Sequence, residues 1–459
     1  MRFFNSSASY RLMSIFLQST KEILMIFLEI ILLFGCIIYA AKLGGIGVGM
    51  AGGLGMAIAV FVLGLKPGAI PIDVILIILS VIFAISCMQL AGGMDYMVKL
   101  ASKLLRSNPK YINILAPAVT FVLTVLGGTG YTAMSVLNVI QEVAKENHVR
   151  PSQPLTSAVI ASQIAITASP ISAATAAMYV VVEKMGGGSF GQALAVIVPS
   201  AVFGAIVTAI ISSMQGVDLD KAPIFQKRLK EGLVSMKTKK EAEKPTTCKA
   251  KVSVAIFLLA VVFIVALLLF KPYIGHTLGS RDIIIISMLM AGLVMYWFCD
   301  ISLDRIKNTP IFGGGMESLV VVLGIVWMSS TIIGAHIPEI KTQATALLEQ
   351  YPALLAVAFF CVSALLFSQG ATAALLVPVA ASLGVDVSTI LASFVACSAL
   401  YITNIYPTTA FAIACEDTGS FMDRKWNGSW VINHPFFLPG IVGLVAAVPF
   451  GFLISKMVL

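Results

Sequence analysis

Polar residues along this chain fall in short intervals, and between them lie apolar stretches of about 20 residues, the length that carries an α-helix across a bilayer. In order, they predict spans at 22–40, 44–64 and 72–91, two shorter arms within 112–144, a long stretch at 155–182 and a span at 192–214. A polar interval follows at 215–250, and the order then recurs. Spans at 252–270, 282–299 and 315–334 lead to short arms within 353–383, a long stretch at 387–415 and a last span at 436–457. Two interruptions break the apolar pattern in each half. In the first half they are Leu126-Gly127-Gly128-Thr129-Gly130-Tyr131-Thr132 and Ala168-Ser169-Pro170-Ile171-Ser172. In the second they are Phe367-Ser368-Gln369-Gly370-Ala371-Thr372 and Asn404-Ile405-Tyr406-Pro407-Thr408-Thr409. Such clusters release backbone groups that lipid cannot satisfy, so they survive only under protein cover or beside a polar cavity. Interruptions at corresponding positions of two halves point to the midplane site of a secondary transporter.

Each short arm has roughly 15 residues, too few to cross comfortably. The stretches 112–144 and 353–383 are therefore expected as re-entrant hairpins, with tips at Gly127–Gly130 and Ser368–Ala371. The stretches 155–182 and 387–415 are expected as broken spans. Corresponding residues keep an offset near 240: Met88 with Met328, Leu104-Leu105 with Leu347-Leu348, and Pro170 with Pro407. Five crossings per copy is an odd number, so the second copy must be inverted. The expected fold class is an all-α polytopic membrane protein of two inverted repeats, 22–214 and 251–459. Each has five transmembrane spans plus a re-entrant hairpin.

Composition agrees: 58% of the 459 residues are hydrophobic and 11% charged, with mean hydropathy +0.97. A soluble domain carries about 25% charged residues, so soluble enzyme classes are set aside. The net charge of +8 does not indicate nucleic acid, because the basic residues lie in short loops between spans. Placing both termini outside puts 21 of the 30 Lys and Arg on the cytoplasmic side, as the positive-inside rule requires. Both termini are expected outside, with 215–250 a basic cytoplasmic connector. Lys99, Lys103, Arg106 and Lys110 share one helical face, expected to lie against anionic headgroups. Residues 1–21 are an N-terminal extension without a signal-peptide cleavage site, and Met25 is an alternative start. The seven cysteines have no paired spacing and the four histidines are scattered, so neither a disulfide framework nor a metal cluster is expected.

The candidate chemistry lies at the four breaks. Half-helices are expected to start after Gly130, at Pro170, after Gly370 and at Pro407. Proline suits a first helical turn, and a helix N-terminus offers N–H groups and partial positive charge to an anion. The candidate substrate-binding residues are Gly128, Thr129, Gly130 and Thr132 at the first tip, and Ser169, Pro170 and Ser172 at the first broken span. In the second half they are Ser368, Gln369, Gly370 and Thr372, then Asn404, Tyr406, Pro407, Thr408 and Thr409. No Arg, Lys or His falls at a break, so a bound anion would rest on dipoles and hydroxyls. Backbone carbonyls released there leave a coupling Na⁺ open. The Gly-rich run from Gly44 to Gly55 is expected to serve close helix packing, since no Gly-Lys-Ser/Thr follows it. Glu29 sits mid-span, where an ionisable group is a proton-relay candidate by default. It has no acidic neighbour and no counterpart in the second repeat, which favours a structural or interfacial role.

Several stretches together resemble one family, the anaerobic C4-dicarboxylate transporters of the Dcu A/B type. They are Lys42-Leu43-Gly44-Gly45-Ile46-Gly47, Leu105-Arg106-Ser107-Asn108-Pro109-Lys110-Tyr111, the run from Gln163 to Ser172, Tyr406-Pro407-Thr408 and Asn433-His434-Pro435-Phe436-Phe437. The resemblance runs from about Met25 to the C-terminus and looks closest to the DcuA branch. It implies an antiporter of fumarate, succinate, malate or aspartate in anaerobic growth. It also implies kinship with the ion-transporter superfamily, in which a hairpin-bearing transport domain moves past a scaffold, elevator-fashion. Homodimerisation is a further expectation from such relatives; no cofactor and no nucleic acid is implied. Thr409 stands where the branch associated with a sensor kinase has an acidic residue, and Asn404-Ile405 where relatives tend to have Pro-Thr. Two other functions stay open from the residues alone: a Na⁺- or H⁺-coupled symporter of another organic anion, and a membrane sensor partner that does not transport.

Overall fold

The computed structural model describes residues 6–43, 46–234, 236, 246–274, 278–404, 406–422 and 434–459. The start of the expected N-terminal extension, Gly44 and Gly45, Ile405, Asn433 and part of the basic connector (235 and 237–245) lie outside them. Every regular element among the described residues is helical. Among the described residues, eight helices are long and apolar enough to cross a bilayer, or nine if Val387–Ile402 and Pro407–Cys415 count as one broken span.

This differs from the expected ten spans in two ways. The expected spans 22–40 and 44–64 correspond to shorter apolar helices, Leu24–Ala40 and Ile46–Val62. The first arm of the first hairpin is longer than expected, because a 3₁₀ turn with Pro109 at its start precedes the α-helix and extends it to Pro109–Gly127, 19 residues. The helices expected as arms of the second hairpin, Leu354–Leu366 and Gln369–Ser382, have 13 and 14 residues. At 1.5 Å per residue each covers about 20 Å, well short of ~30 Å of hydrocarbon.

The chain divides into two compact units, and each takes residues from both expected repeats. The smaller comprises Met1–Pro71 and Val320–Ile340, and the larger Ile72–Leu319 and Lys341–Leu459. In the smaller unit, glycines let one helix lie directly on the backbone of another. A Cβ on Gly52 would fall 2.1 Å from the Ile325 nitrogen, and one on Gly324 only 1.9 Å from the Gly49 carbonyl oxygen. This is the close packing expected of the Gly-rich run. The Trp327 indole N–H donates to the Gly68 carbonyl (2.7 Å), and the Gly68 N–H donates to Thr331 Oγ1 (2.9 Å). Glu29 is buried and paired with His336. That partner, some 300 residues away in sequence, explains how a carboxylate is tolerated mid-span.

The larger unit is built around the helix Ser152–Ala168, buried at every position but Gln153. It carries Ser157, Ser162, Gln163 and Thr167, which would be costly against lipid and are here covered by protein. Helices Ile112–Gly127, Tyr131–Glu146 and Phe190–Ser213 and the 3₁₀ segment Phe394–Ile402 pack around it. The amphipathic helix Gly93–Ser107 buries Met94, Met97, Ala101 and Leu105. Its charged face is not given wholly to headgroups, however: Arg106 bridges Glu142 (2.6 Å) and Glu146 (3.4 Å) at the end of the helix Tyr131–Glu146. Arg106 lies just before the helix Ile112–Gly127, so this pair ties the entry of the expected first hairpin to its exit.

Replacing Gly52 with Val should destabilise the smaller unit by about 1–3 kcal/mol, the usual cost of overpacking. Gly53→Ala, at a position with open space around it, should leave the unfolding temperature in detergent unchanged or higher. Equal losses in both variants would show that helix–helix contact at Gly52 is not the cause.

Candidate functional site

The two expected hairpin tips turn by the same device. The helix Ile112–Gly127 ends at Gly128, in the left-handed region (φ 65°), whose N–H donates to the Thr124 carbonyl (2.8 Å). The helix Leu354–Leu366 ends at Phe367 (φ 51°), whose N–H donates to the Ser363 carbonyl (3.0 Å). Gly128 needs to be glycine, both for its φ and because an added Cβ would sit 3.2 Å from Ile171. Phe367 is a rarer occupant of that region. Its ring lies parallel to Tyr406, with centroids 6.2 Å apart. Each tip thus rests against a broken span of its own half: Gly128 on Ile171, Phe367 on Tyr406.

Hydroxyls at the breaks bond backbone carbonyls nearby. Ser169 Oγ donates to the Val125 carbonyl (2.7 Å), tying the first broken span to the first arm. Thr132 donates to Thr129 O (2.8 Å), Thr372 to Ser368 O (2.8 Å) and Thr409 to Tyr406 O (2.7 Å). Thr175, absent from the sequence-based candidates, donates to Thr167 O (2.8 Å). Ser172 and Ser368 are N-caps that accept from Thr175 N and Ala371 N, both at 3.1 Å. The second half-helix of the first broken span consequently begins at Ala173, not at Pro170 as expected, because Ser172 supplies the cap. Pro407 does occupy the first turn of its helix.

The four helix starts meet across the halves. A Cβ on Gly370 would touch Ala173 (3.2 Å), and one on Gly130 would lie 3.1 Å from Gln163 Nε2 and 3.8 Å from Thr408 Cγ2. Gln163, also absent from the sequence-based candidates, links the arrangement. Its Nε2 donates to Thr408 Oγ1 (3.0 Å), and its Oε1 accepts from Gln369 Nε2 (3.0 Å). It is fully buried. One signal could have found it: a glutamine within an apolar span, six residues before a break, is expensive unless it has work to do. Among the described residues, Thr403 Oγ1 and Asn404 Oδ1 are buried and find no hydrogen-bond partner.

Away from the breaks, Gln141 Nε2 and Lys145 Nζ both reach Asp417, at 2.6 and 2.7 Å. The helices Tyr131–Glu146 and Pro407–Cys415 touch near their starts, at Gly130 and Thr408, and are tied at their ends. They therefore run parallel, with both N-termini at the breaks. Buried Arg150 donates to Ser152 Oγ (2.9 Å) and to the carbonyls of Val217 and Ser420, holding the same end of the unit. The run Gly187-Gly188-Ser189-Phe190-Gly191 has the spacing of a serine-hydrolase nucleophile turn. Here Ser189 forms a capping box with Gln192, an ordinary helix start.

Residues 25–459 match the family described as "Anaerobic c4-dicarboxylate membrane transporter". The chain is 44% identical to the C4-dicarboxylate transporter DcuA of Wolinella succinogenes, over 95% of this chain and the whole of that protein. Identity to the Escherichia coli K12 protein of the same name is likewise 44%, over 95% of this chain and all of that one. The anaerobic C4-dicarboxylate transporter DcuB of Escherichia coli O6:H1 is 35% identical over 94% of this chain and 98% of its own length. Among solved structures, the YdaH transporter of Alcanivorax borkumensis aligns with a TM-score of 0.49 at 12% identity, covering 94% of this chain and 97% of that one.

Gly128 and Ser169 hold one contact from two sides. Gly128→Ala should cost about 1–2 kcal/mol by forcing a side chain into the left-handed region. Ser169→Ala should cost about 1–3 kcal/mol by leaving the Val125 carbonyl short of a buried donor. Because both act on the seating of the first tip, the double variant should lose less than the sum. Strict additivity of unfolding temperatures in detergent would count against that shared contact.

Proposed function

The chain belongs to the family of anaerobic C4-dicarboxylate membrane transporters, and on that premise we propose that it exchanges C4-dicarboxylates across the bacterial inner membrane. It is a multi-pass membrane transporter rather than an enzyme. The proposed substrates are fumarate, succinate, malate and aspartate, exchanged by alternating access. The observation that carries the reading is the meeting of four helix starts, two at tips and two at broken spans, with no basic side chain among them. A dianion bound there would be held by helix ends and neutral donors. Such a site can also release its ligand on the far side.

The finer architecture is part of the same proposal. Two inverted repeats are supported by the matching caps at Gly128 and Phe367, each bonded to the residue four before it. A re-entrant first hairpin is supported by Arg106, which joins its entry to Glu142 and Glu146 at its exit. An elevator is supported by the division into a smaller unit without breaks and a larger one holding all four. We further infer periplasmic termini from the Lys/Arg asymmetry, and a homodimer as the working assembly.

A second reading, coupling to Na⁺, is favoured by one observation. Thr403 Oγ1 and Asn404 Oδ1 are buried and unpartnered, and neutral oxygens suit a hard monovalent cation.

Purified protein in liposomes loaded with succinate should take up [¹⁴C]fumarate, and empty liposomes should not. Equal rates in sodium and choline buffers would support plain exchange. Uptake into empty vesicles driven by a Na⁺ gradient would overturn exchange in favour of the symport reading, and Asn404→Leu should then abolish the gradient's effect. Absence of transport of all four acids would overturn the dicarboxylate reading itself.

A further inference from the structure

A carboxylate is an acceptor only, so its site must offer hydrogens, and a hydroxyl has one to give. At the breaks most of those hydrogens are already committed: Ser169, Thr132, Thr372 and Thr409 each donate to a backbone carbonyl. None of these four can turn to a ligand without abandoning a carbonyl. Gln163 and Thr408 are different. The Gln163 amide has two N–H hydrogens and directs one at Thr408 Oγ1. Among the described residues the second meets no acceptor. Thr408 accepts that bond, and its own hydroxyl hydrogen likewise has no acceptor there. Gly130 lies beside both side chains: a Cβ there would come within 3.1 Å of Gln163 Nε2 and 3.8 Å of Thr408 Cγ2.

We infer that Gln163 and Thr408 together receive one carboxylate of the transported dicarboxylate, with Gln369 as the positioning residue that turns the Gln163 amide donor-side outward. This inference rests on the exchange function proposed above and names a recognition element within it. Nε2 of Gln163 and Oγ1 of Thr408 are 3.0 Å apart, so an N–H and an O–H stand side by side, as the two oxygens of a carboxylate require. Gln369 holds Oε1 of Gln163 from the other side at 3.0 Å. An amide flip would set that oxygen toward the ligand and break the bond to Gln369. The starts of the helices Tyr131–Glu146 and Pro407–Cys415 flank the pair and add their partial positive charge.

The charged side chains on elements packed against this helix are few. Glu142, Lys145, Glu146, Glu183, Lys184 and Lys456 stand in the last two turns of their helices, and the other titratable groups there are tyrosines and cysteines. A carboxylate introduced at position 163 would therefore report its own titration.

The test is the concentration dependence of succinate–fumarate exchange in proteoliposomes, between pH 5.5 and 8. Gln163→Glu keeps the side-chain size but replaces the amide donors with a charged acceptor. Its KM at pH 8 should rise about tenfold to a hundredfold, the range for losing a hydrogen bond to a charged group. It should fall back toward wild type as the assay is acidified and the carboxyl regains a hydrogen. Gln163→Met should raise KM by a similar factor at every pH, and it carries the test should the glutamate variant fail to accumulate. Gln369→Leu should raise KM less, at unchanged maximal rate. Wild-type KM in Gln163→Met, or a lowered maximal rate with unchanged KM, would overturn the assignment while exchange itself stands. Failure of the wild-type protein to exchange either acid would overturn the functional reading on which it rests.

Discussion

A helix that stops inside a membrane leaves carbonyls and N–H groups with no water to take them, and this requirement organises the larger unit. At each break the solution is a hydroxyl or a cap placed within reach. Thr175 reaches back across the first broken span to Thr167 O. Thr132, Thr372 and Thr409 bond carbonyls at the starts of their own helices, which also accept backbone N–H groups. Ser169 goes further and serves a neighbouring segment, so that satisfying one carbonyl also docks a hairpin on a broken span. The Ser and Thr enrichment of the breaks therefore follows first from backbone chemistry, before any ligand is considered.

Recognition then falls to groups that the backbone does not need. Amides offer two hydrogens where a hydroxyl offers one, and the two buried glutamines meet where the four helix starts converge. An arginine there would bind a dianion more strongly. In an empty carrier, however, it would be a charge deep in protein with no partner, a costly state at membrane depth. Neutral donors avoid that cost in the unloaded protein and still satisfy a carboxylate when one arrives.

Much of this was legible in the sequence, for physical reasons that differ between elements. Gly128 and Pro407 announce themselves because only certain residues fit a left-handed cap or a first helical turn. The apolar stretches are legible because bilayer thickness fixes their length. The start at Ala173 rather than Pro170 was not, since Ser172 and Pro170 are both good helix-start signals and only the backbone path chooses between them. Gln163 escaped because its importance depends on Thr408 and Gln369, more than 200 residues away. The bridges from Arg106 to Glu142 and Glu146 were hidden for a similar reason, since the partners lie on another helix 36 and 40 residues away. Local pattern states what a residue is suited to, and long-range contact decides how it is used.

The packing of the smaller unit has a consequence for biosynthesis. The contacts that close it join segments far apart in the chain: Gly68 with Thr331 across 263 residues and Glu29 with His336 across 307. At about 5–20 residues per second of translation, the opening helices wait roughly fifteen seconds to a minute for the segment they close upon. Throughout that interval Gly49 and Gly52 present bare backbone and Glu29 lacks its imidazole. The nascent chain thus passes through a stage in which its most vulnerable surface depends on the insertion machinery, or on lipid, for cover.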